Sequence, residues 1–140
     1  MTASRVGGIA GFIIHFLLGG LLIAIGCFVT FGTLPPEAVQ QNQERGLSEE
    51  IKLIGIGQIV TGLLLILPWT APLGTLLMSA FFGGTICFHM QYNESYVIQS
   101  IMLLATWLGA FLRYPQMFDP LLNCCAPKAI TDWSPKAKTG

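Results

Sequence analysis

The chain has 140 residues, of which 7 are Lys or Arg and 7 are Asp or Glu, while 53% are hydrophobic and the mean hydropathy is +0.66. Soluble domains carry roughly 25% charge; this chain carries 10%, too little to cover a water-exposed surface. A formal net charge of zero and a pI near 6.7 provide no field for holding nucleic acid, which excludes DNA or RNA binding.

At about 20 residues per crossing, the length allows four or five membrane helices and no separate soluble domain. No charged residue lies between Val6 and Pro36, and such a segment spans a bilayer of about 30 Å. The first span is placed at residues 6–34. A signal peptide's apolar region is only about 7–15 residues long and ends at a small-residue cleavage site, so this longer segment reads as a retained span. Pro35 and Pro36 stop it. The polar stretch that follows, to Glu50, holds most of the acidic residues. Within it, residues 37–44 have the length of a short surface helix but only a thin apolar face. Ser48, followed by Glu49 and Glu50, is suited to capping the next helix.

The second span is placed at residues 51–67 and ends at the tight turn Pro68-Trp-Thr-Ala-Pro72. The third covers 73–90 and the fourth 96–112, with Trp69, Tyr92, Tyr96 and Tyr114 at span ends, where amphipathic rings prefer the interface. The fold class expected is therefore all-α, an integral membrane four-helix bundle over residues 1–113. Residues 114–140 hold four of the eight prolines and no apolar periodicity, and they read as an extended tail. Four crossings put both termini on one side. Arg5, Arg113, Lys128, Lys136 and Lys138 then oppose Arg45 and Lys52, which orients both termini to the cytoplasm.

Helices in lipid pack through small residues. The first span carries Gly7, Gly11, His15 and Gly19 at steps of four, and the second carries Gly55, Gln58 and Gly62 on one face. The third aligns Met78, Phe82, Thr85 and His89 beside Gly83-Gly84; the fourth aligns Gln99, Met102, Thr106, Gly109 and Arg113. The outer half of the core is expected to receive Gln58, His89 and Gln99 with Glu94 in the adjacent loop, and His15 to sit alone near mid-depth. Ionisable groups at such depth are candidate functional residues. The alternative is that each makes an interhelical hydrogen bond, worth about 0.6 kcal/mol on average.

A haem held between the two histidines needs ligands at equal depth. At 1.5 Å per residue His15 lies about 13 Å and His89 about 24 Å above the inner ends of their spans, so they miss by roughly 10 Å. Cys27, Cys87, Cys124 and Cys125 have no C-x-x-C spacing, and no metal set is expected. Cys27 and Cys87 read as small apolar packing residues. The adjacent pair Cys124-Cys125 is open to lipidation or thiol exchange with a partner, against the simpler reading of an inert reduced pair. Phosphate-binding loops, nucleophile elbows and paired-carboxylate signatures are missing from the sequence.

Gln58 is followed by Pro68-Trp-Thr-Ala-Pro-Leu-Gly74, then Phe82-Gly-Gly-Thr-Ile-Cys-Phe-His89, then Trp107-Leu-Gly-Ala-Phe-Leu-Arg-Tyr-Pro115. This order of punctuation residues, over about half the chain, resembles the DoxX-like family of small four-helix membrane proteins. Two positions depart from the family pattern. Gln58 stands where a glutamate is common, which removes a proton-carrying carboxylate, and Trp69 stands where an arginine is frequent. The resemblance implies a setting such as the membrane subunit of a quinone-linked oxidoreductase, or an assembly or stress-related complex, in a bacterial cytoplasmic membrane.

Two functions follow as expectations. One is an accessory subunit, not catalytic on its own, that contacts other membrane subunits through its glycine-rich faces and C-terminal tail. The other is an oxidoreductase subunit contributing a quinone site, with His89 and Gln58 as donors to the quinone carbonyls and His15 as a further cofactor-binding candidate. Transport of a small solute is the least supported, because so few ionisable groups lie within the spans.

Overall fold

The computed structural model describes residues 3–32, 34–47 and 50–120, with side chains from residue 6 onward. Ser48, Cys124, Cys125, Lys128, Lys136, Lys138 and most of the proline-rich tail lie outside the described residues. Five α-helices and no strand occur among the described residues: α1 (Ala3–Thr30), α2 (Pro36–Glu44), α3 (Ile51–Ile66), α4 (Ala71–Gln91) and α5 (Val97–Arg113). A 3-10 turn follows at Pro115–Met117. The parts of α1 and α4 over Val6–Thr30 and Ala71–Gln91 are long and apolar enough to cross a membrane.

Helix α1 ends four residues short of the expected span, because the chain turns at Gly32 in the left-handed region. The expected short surface helix forms as α2. Pro36 occupies its first turn, where the missing N–H costs nothing. At its other end Gly46 adopts φ +73°, with Gly46 N donating to Gln43 O (3.0 Å) and Leu47 N to Asn42 O (2.9 Å). This is a Schellman closure, and only glycine enters that conformation without strain. Helix α4 closes the same way around Asn93 (φ 55°), with Asn93 N donating to Met90 O and Glu94 N to His89 O.

The long helices pack in a ring in chain order, α1 on α3, α3 on α4, α4 on α5 and α5 back on α1. Successive helices run antiparallel. A methyl group built on Gly19 would lie 2.8 Å from Gly62 O, and one on Gly26 2.7 Å from Gly55 O. The α1–α3 seam is thus two glycine pairs seven residues apart on each helix, close enough for backbone-to-backbone contact. Gly7 and Gly11 instead face Leu112, Gly109 and Arg113 of α5. The glycine face of α1 therefore serves two neighbours, its first half meeting α5 and its second half α3. Gly83 and Gly84 meet nothing within 4 Å and lie at no seam of the bundle.

Leu18, Leu22, Leu65, Met78 and Phe82 form an apolar core flanked by Ile14 and Met102. The remaining burial is inverted relative to a water-soluble protein. His15, Gln58, Thr61, Thr75 and Thr106 are buried, whereas Phe31 is 75% exposed, Leu53 71% and Leu104 70%. The threonines of α4 and α5 satisfy themselves locally, with Thr75 Oγ1 donating to Ala71 O, Thr85 Oγ1 to Phe81 O and Thr106 Oγ1 to Met102 O, all at 2.8–2.9 Å.

Candidate functional site

Two polar clusters flank the apolar core. The first is built at the end of the bundle where α4 turns into α5. The Schellman closure at Asn93 brings the Glu94 backbone over His89, and the Glu94 side chain completes the contact, with Oε2 2.9 Å from His89 Nδ1. Gln99, in the first turn of α5, places its Nε2 2.8 Å from His89 Nε2. An amide N–H can only donate, so His89 Nε2 accepts and the imidazole proton resides on Nδ1, where the carboxylate receives it. Arg45, held by the Gly46 closure of α2, donates through Nη2 to the second Glu94 oxygen. Its guanidinium also lies 4.8 Å from the Tyr92 ring centre and 5.7 Å from that of Phe88. Arg45, Glu94, His89 and Gln99 thus form one chain of hydrogen bonds that ties the α2–α3 connection to the α4–α5 connection.

The bond from Arg45 is the largest influence on the Glu94 carboxyl. It outweighs the upward push of desolvation and, with the Arg45 charge and the His89 contact, holds Glu94 below the usual carboxylate range.

The second cluster lies toward the opposite end. His15 is fully buried, and its Nε2 is 3.1 Å from Thr106 O. Arg113 Nη1 lies 3.4 Å from His15 Nδ1 and 3.3 Å from Leu65 O. A carbonyl can only accept and a guanidinium can only donate, which fixes His15 as the neutral Nε2–H tautomer. His15 is therefore not alone at mid-depth, since an arginine from the end of α5 reaches it. Gly109 makes this possible, because a Cβ there would stand 2.5 Å from the His15 ring. Arg113 packs its guanidinium against Phe12 (4.9 Å) and Tyr114 (5.2 Å).

The same end accounts for the last carbonyls of α3, which a helix terminus leaves without partners. Leu67 N bonds Leu63 O, Thr70 Oγ1 bonds Leu64 O at 2.9 Å, and Arg113 bonds Leu65 O. Tyr114 donates its hydroxyl to Pro68 O at 2.5 Å. Gly74 meets the Leu65 backbone so closely that a methyl group would lie 2.5 Å from Leu65 N.

Among the expected site residues, His89 meets both Gln99 and Glu94. Gln58 does not join them; its Oε1 is buried without a hydrogen-bond partner, as are Gln99 Oε1 and Thr30 Oγ1. His15 and His89 bond to Thr106 and Gln99, seven residues apart on α5, which separates them by about 10 Å along the axis. Two open depressions lie outside the bundle, one against α2 and one of about 250 Å³ beside Ala24, Cys27, Phe28 and Phe31. Cys27 and Cys87 are free thiols, and no cluster of metal-ligating side chains occurs among the described residues. Arg45 and Arg113 are the participants that sequence reasoning missed. For Arg113 the available signal was its place on the Gln99–Gly109 face; for Arg45 it was the adjacent Gly46. Comparison of the chain with protein-family models, curated proteins and solved structures gives no match.

Proposed function

We propose that the chain is an integral membrane protein in which α1, α3, α4 and α5 all cross the bilayer, with both termini cytoplasmic. In this reading it serves as a non-catalytic accessory subunit of a larger membrane complex. The outward apolar surface on all four helices and the inward histidines and threonines support membrane residence. Helices α3 and α5, with 16 and 17 residues, reach about 24–26 Å. Their flanking Leu67, Trp69 and Tyr114 extend them to the headgroup boundary.

The observation that carries the accessory role is that both ring nitrogens of both histidines are engaged within the chain. A quinone site needs a free donor aimed into a slot. Here His89 is committed to Glu94 and Gln99, and His15 to Thr106 and Arg113, in contacts that fasten helix ends. The DoxX-like resemblance supports the same architecture. Its turn residues Pro68, Thr70 and Gly74 and its closing Arg113 meet at one end of the bundle, and an oxidoreductase assembly in a bacterial cytoplasmic membrane is the setting it suggests.

Purification in gentle detergent tests this directly. The expected result is one or more membrane proteins co-eluting in fixed ratio; a stable monomer with no companion overturns the accessory role. In the purified assembly, His89→Ala is expected to leave quinone reduction unchanged. Loss of that activity with the helices intact would favour a quinone site at His89 and Gln58 instead.

A further inference from the structure

The two arginines of known placement at the helix ends are treated differently by the fold. Arg45 has a carboxylate partner in Glu94, whereas Arg113 has none within ion-pair distance among the described residues. Its contacts are a backbone carbonyl, a neutral imidazole and two aromatic faces. Both hydrogen bonds use Nη1. Nε and Nη2, which carry three of the five guanidinium N–H donors, make no hydrogen bond among the described residues. That free edge is the fork that matches two oxygens of a phosphate.

The position is set by the fold rather than by side-chain flexibility. A methyl group on Gly11 would lie 2.9 Å from Arg113 N and 3.1 Å from its Cβ, so α1 holds the Arg113 backbone close. The guanidinium is then fixed by Leu65 O and the Phe12 and Tyr114 rings, and the residue remains partly exposed. Beside it the surface is aromatic: the Phe12 ring against the guanidinium is 41% exposed and stacks on Phe16, one turn further along α1 and 53% exposed. A ligand that neutralises Arg113 and also covers these side chains must carry an anionic head on an apolar body.

We propose that Arg113, with the Phe12 and Phe16 surface beside it, binds the phosphate headgroup and upper acyl chain of an anionic phospholipid. The site rests on the membrane-spanning reading above. An uncompensated arginine at the hydrocarbon boundary is costly alone, and a lipid phosphate at that depth neutralises it where no acidic side chain does. Two fixed contacts on one edge of the guanidinium leave the other edge oriented before the lipid arrives, which lowers the ordering cost of binding.

The test uses the full chain in phosphatidylcholine nanodiscs with and without phosphatidylglycerol, its helix content checked by circular dichroism. Retained lipid is counted by native mass spectrometry and stability is followed as Tm. The wild type is expected to retain phosphatidylglycerol through delipidation and to gain Tm from it, both effects weakening at high salt. Arg113→Gln should bind it about tenfold more weakly, Arg113→Lys should recover part of the binding, and Lys52→Gln, an exposed basic residue at the other end of the bundle, should match the wild type. Equal retention by Arg113→Gln overturns the site. Inorganic phosphate giving the same Tm gain in pure phosphatidylcholine also overturns it, in favour of a free anion. If Arg113→Gln does not fold, the wild-type salt and lipid dependence decides alone, and a Tm indifferent to phosphatidylglycerol rejects the proposal. Failure of the wild type to enter nanodiscs at all would instead reject the membrane reading.

Discussion

A single methyl group is a sufficient probe of how His15 is held. Gly109→Ala would drive its Cβ into the His15 ring, wedged between Thr106 O and Arg113, and the ring has no free direction in which to move. Overpacking of this kind costs about 1–3 kcal/mol. The same change at Gly84, which meets nothing within 4 Å, is expected to be neutral or slightly stabilising, since alanine favours helix over glycine. Thermal unfolding in detergent of the two variants checks the difference; equal stabilities would mean that His15 is loosely packed. At the other end, Glu94 sits below the usual carboxylate range because Arg45 binds its charged form. A carboxyl lowered on folding contributes stability that is complete above its unfolded value and disappears as pH falls through its folded value. The Tm of the wild type is therefore expected to hold above the ordinary carboxylate range, to begin falling as pH enters that range and to go on falling below it. Glu94→Gln should be less stable at neutral pH and lack that part of the acid response. An unchanged acid limb in Glu94→Gln would show that the Arg45 contact does not stabilise the fold.

The four long helices were legible in the sequence because each is an uninterrupted apolar run closed by Pro, Gly or a polar turn. Helix α2 was less so, since its thin apolar face contributes nothing to burial; what makes it a helix is punctuation, Pro36 at the start and the Arg45-Gly46 closure. Helical spacing also placed Gln58, His89 and Gln99 in the outer half of the core near Glu94, and of these His89 and Gln99 meet whereas Gln58 stays apart. The Arg113–His15 contact was not readable, because it depends on the register between α1 and α5, and that register is set by Gly7, Gly11 and Gly109 only once the helices are packed. Gly26 was missed for a related reason. Steps of four from Gly7 describe one face, but α1 is long enough to meet two neighbours in turn. Its second half has the tighter demand, and Gly62→Leu is expected to force α1 and α3 apart at the Gly19 backbone. The outward-facing Gly57→Leu should be tolerated. Unfolding in detergent and helix-pair crosslinking would separate them; comparable behaviour of the two would mean that the glycine seam is not what positions these helices.

Scarce charge distinguishes the two ends of the molecule. One end gathers Arg45, Glu94 and the acidic residues of α2 into connections of substantial length, and the other holds, among the described side chains, Arg113 and Asp119 beside a four-residue turn between α3 and α4. In the proposed orientation, with both termini cytoplasmic on the count of basic residues in the terminal segments, the first of these ends would face outward. Arg113 would then meet the cytoplasmic leaflet, where anionic lipid attracts basic side chains. Single cysteines in a background lacking Cys27, Cys87, Cys124 and Cys125 discriminate the alternatives. Glu44→Cys, on exposed α2, should react with an impermeant maleimide added to intact cells, and Gln116→Cys, beyond α5, only after the membrane is opened. The reverse pattern would invert the bundle while keeping its four crossings, and would move the Arg113 lipid to the opposite leaflet. Labelling of both from outside would require an odd number of crossings between residues 44 and 116 to be replaced by an even one. That outcome is incompatible with α3, α4 and α5 all spanning the bilayer.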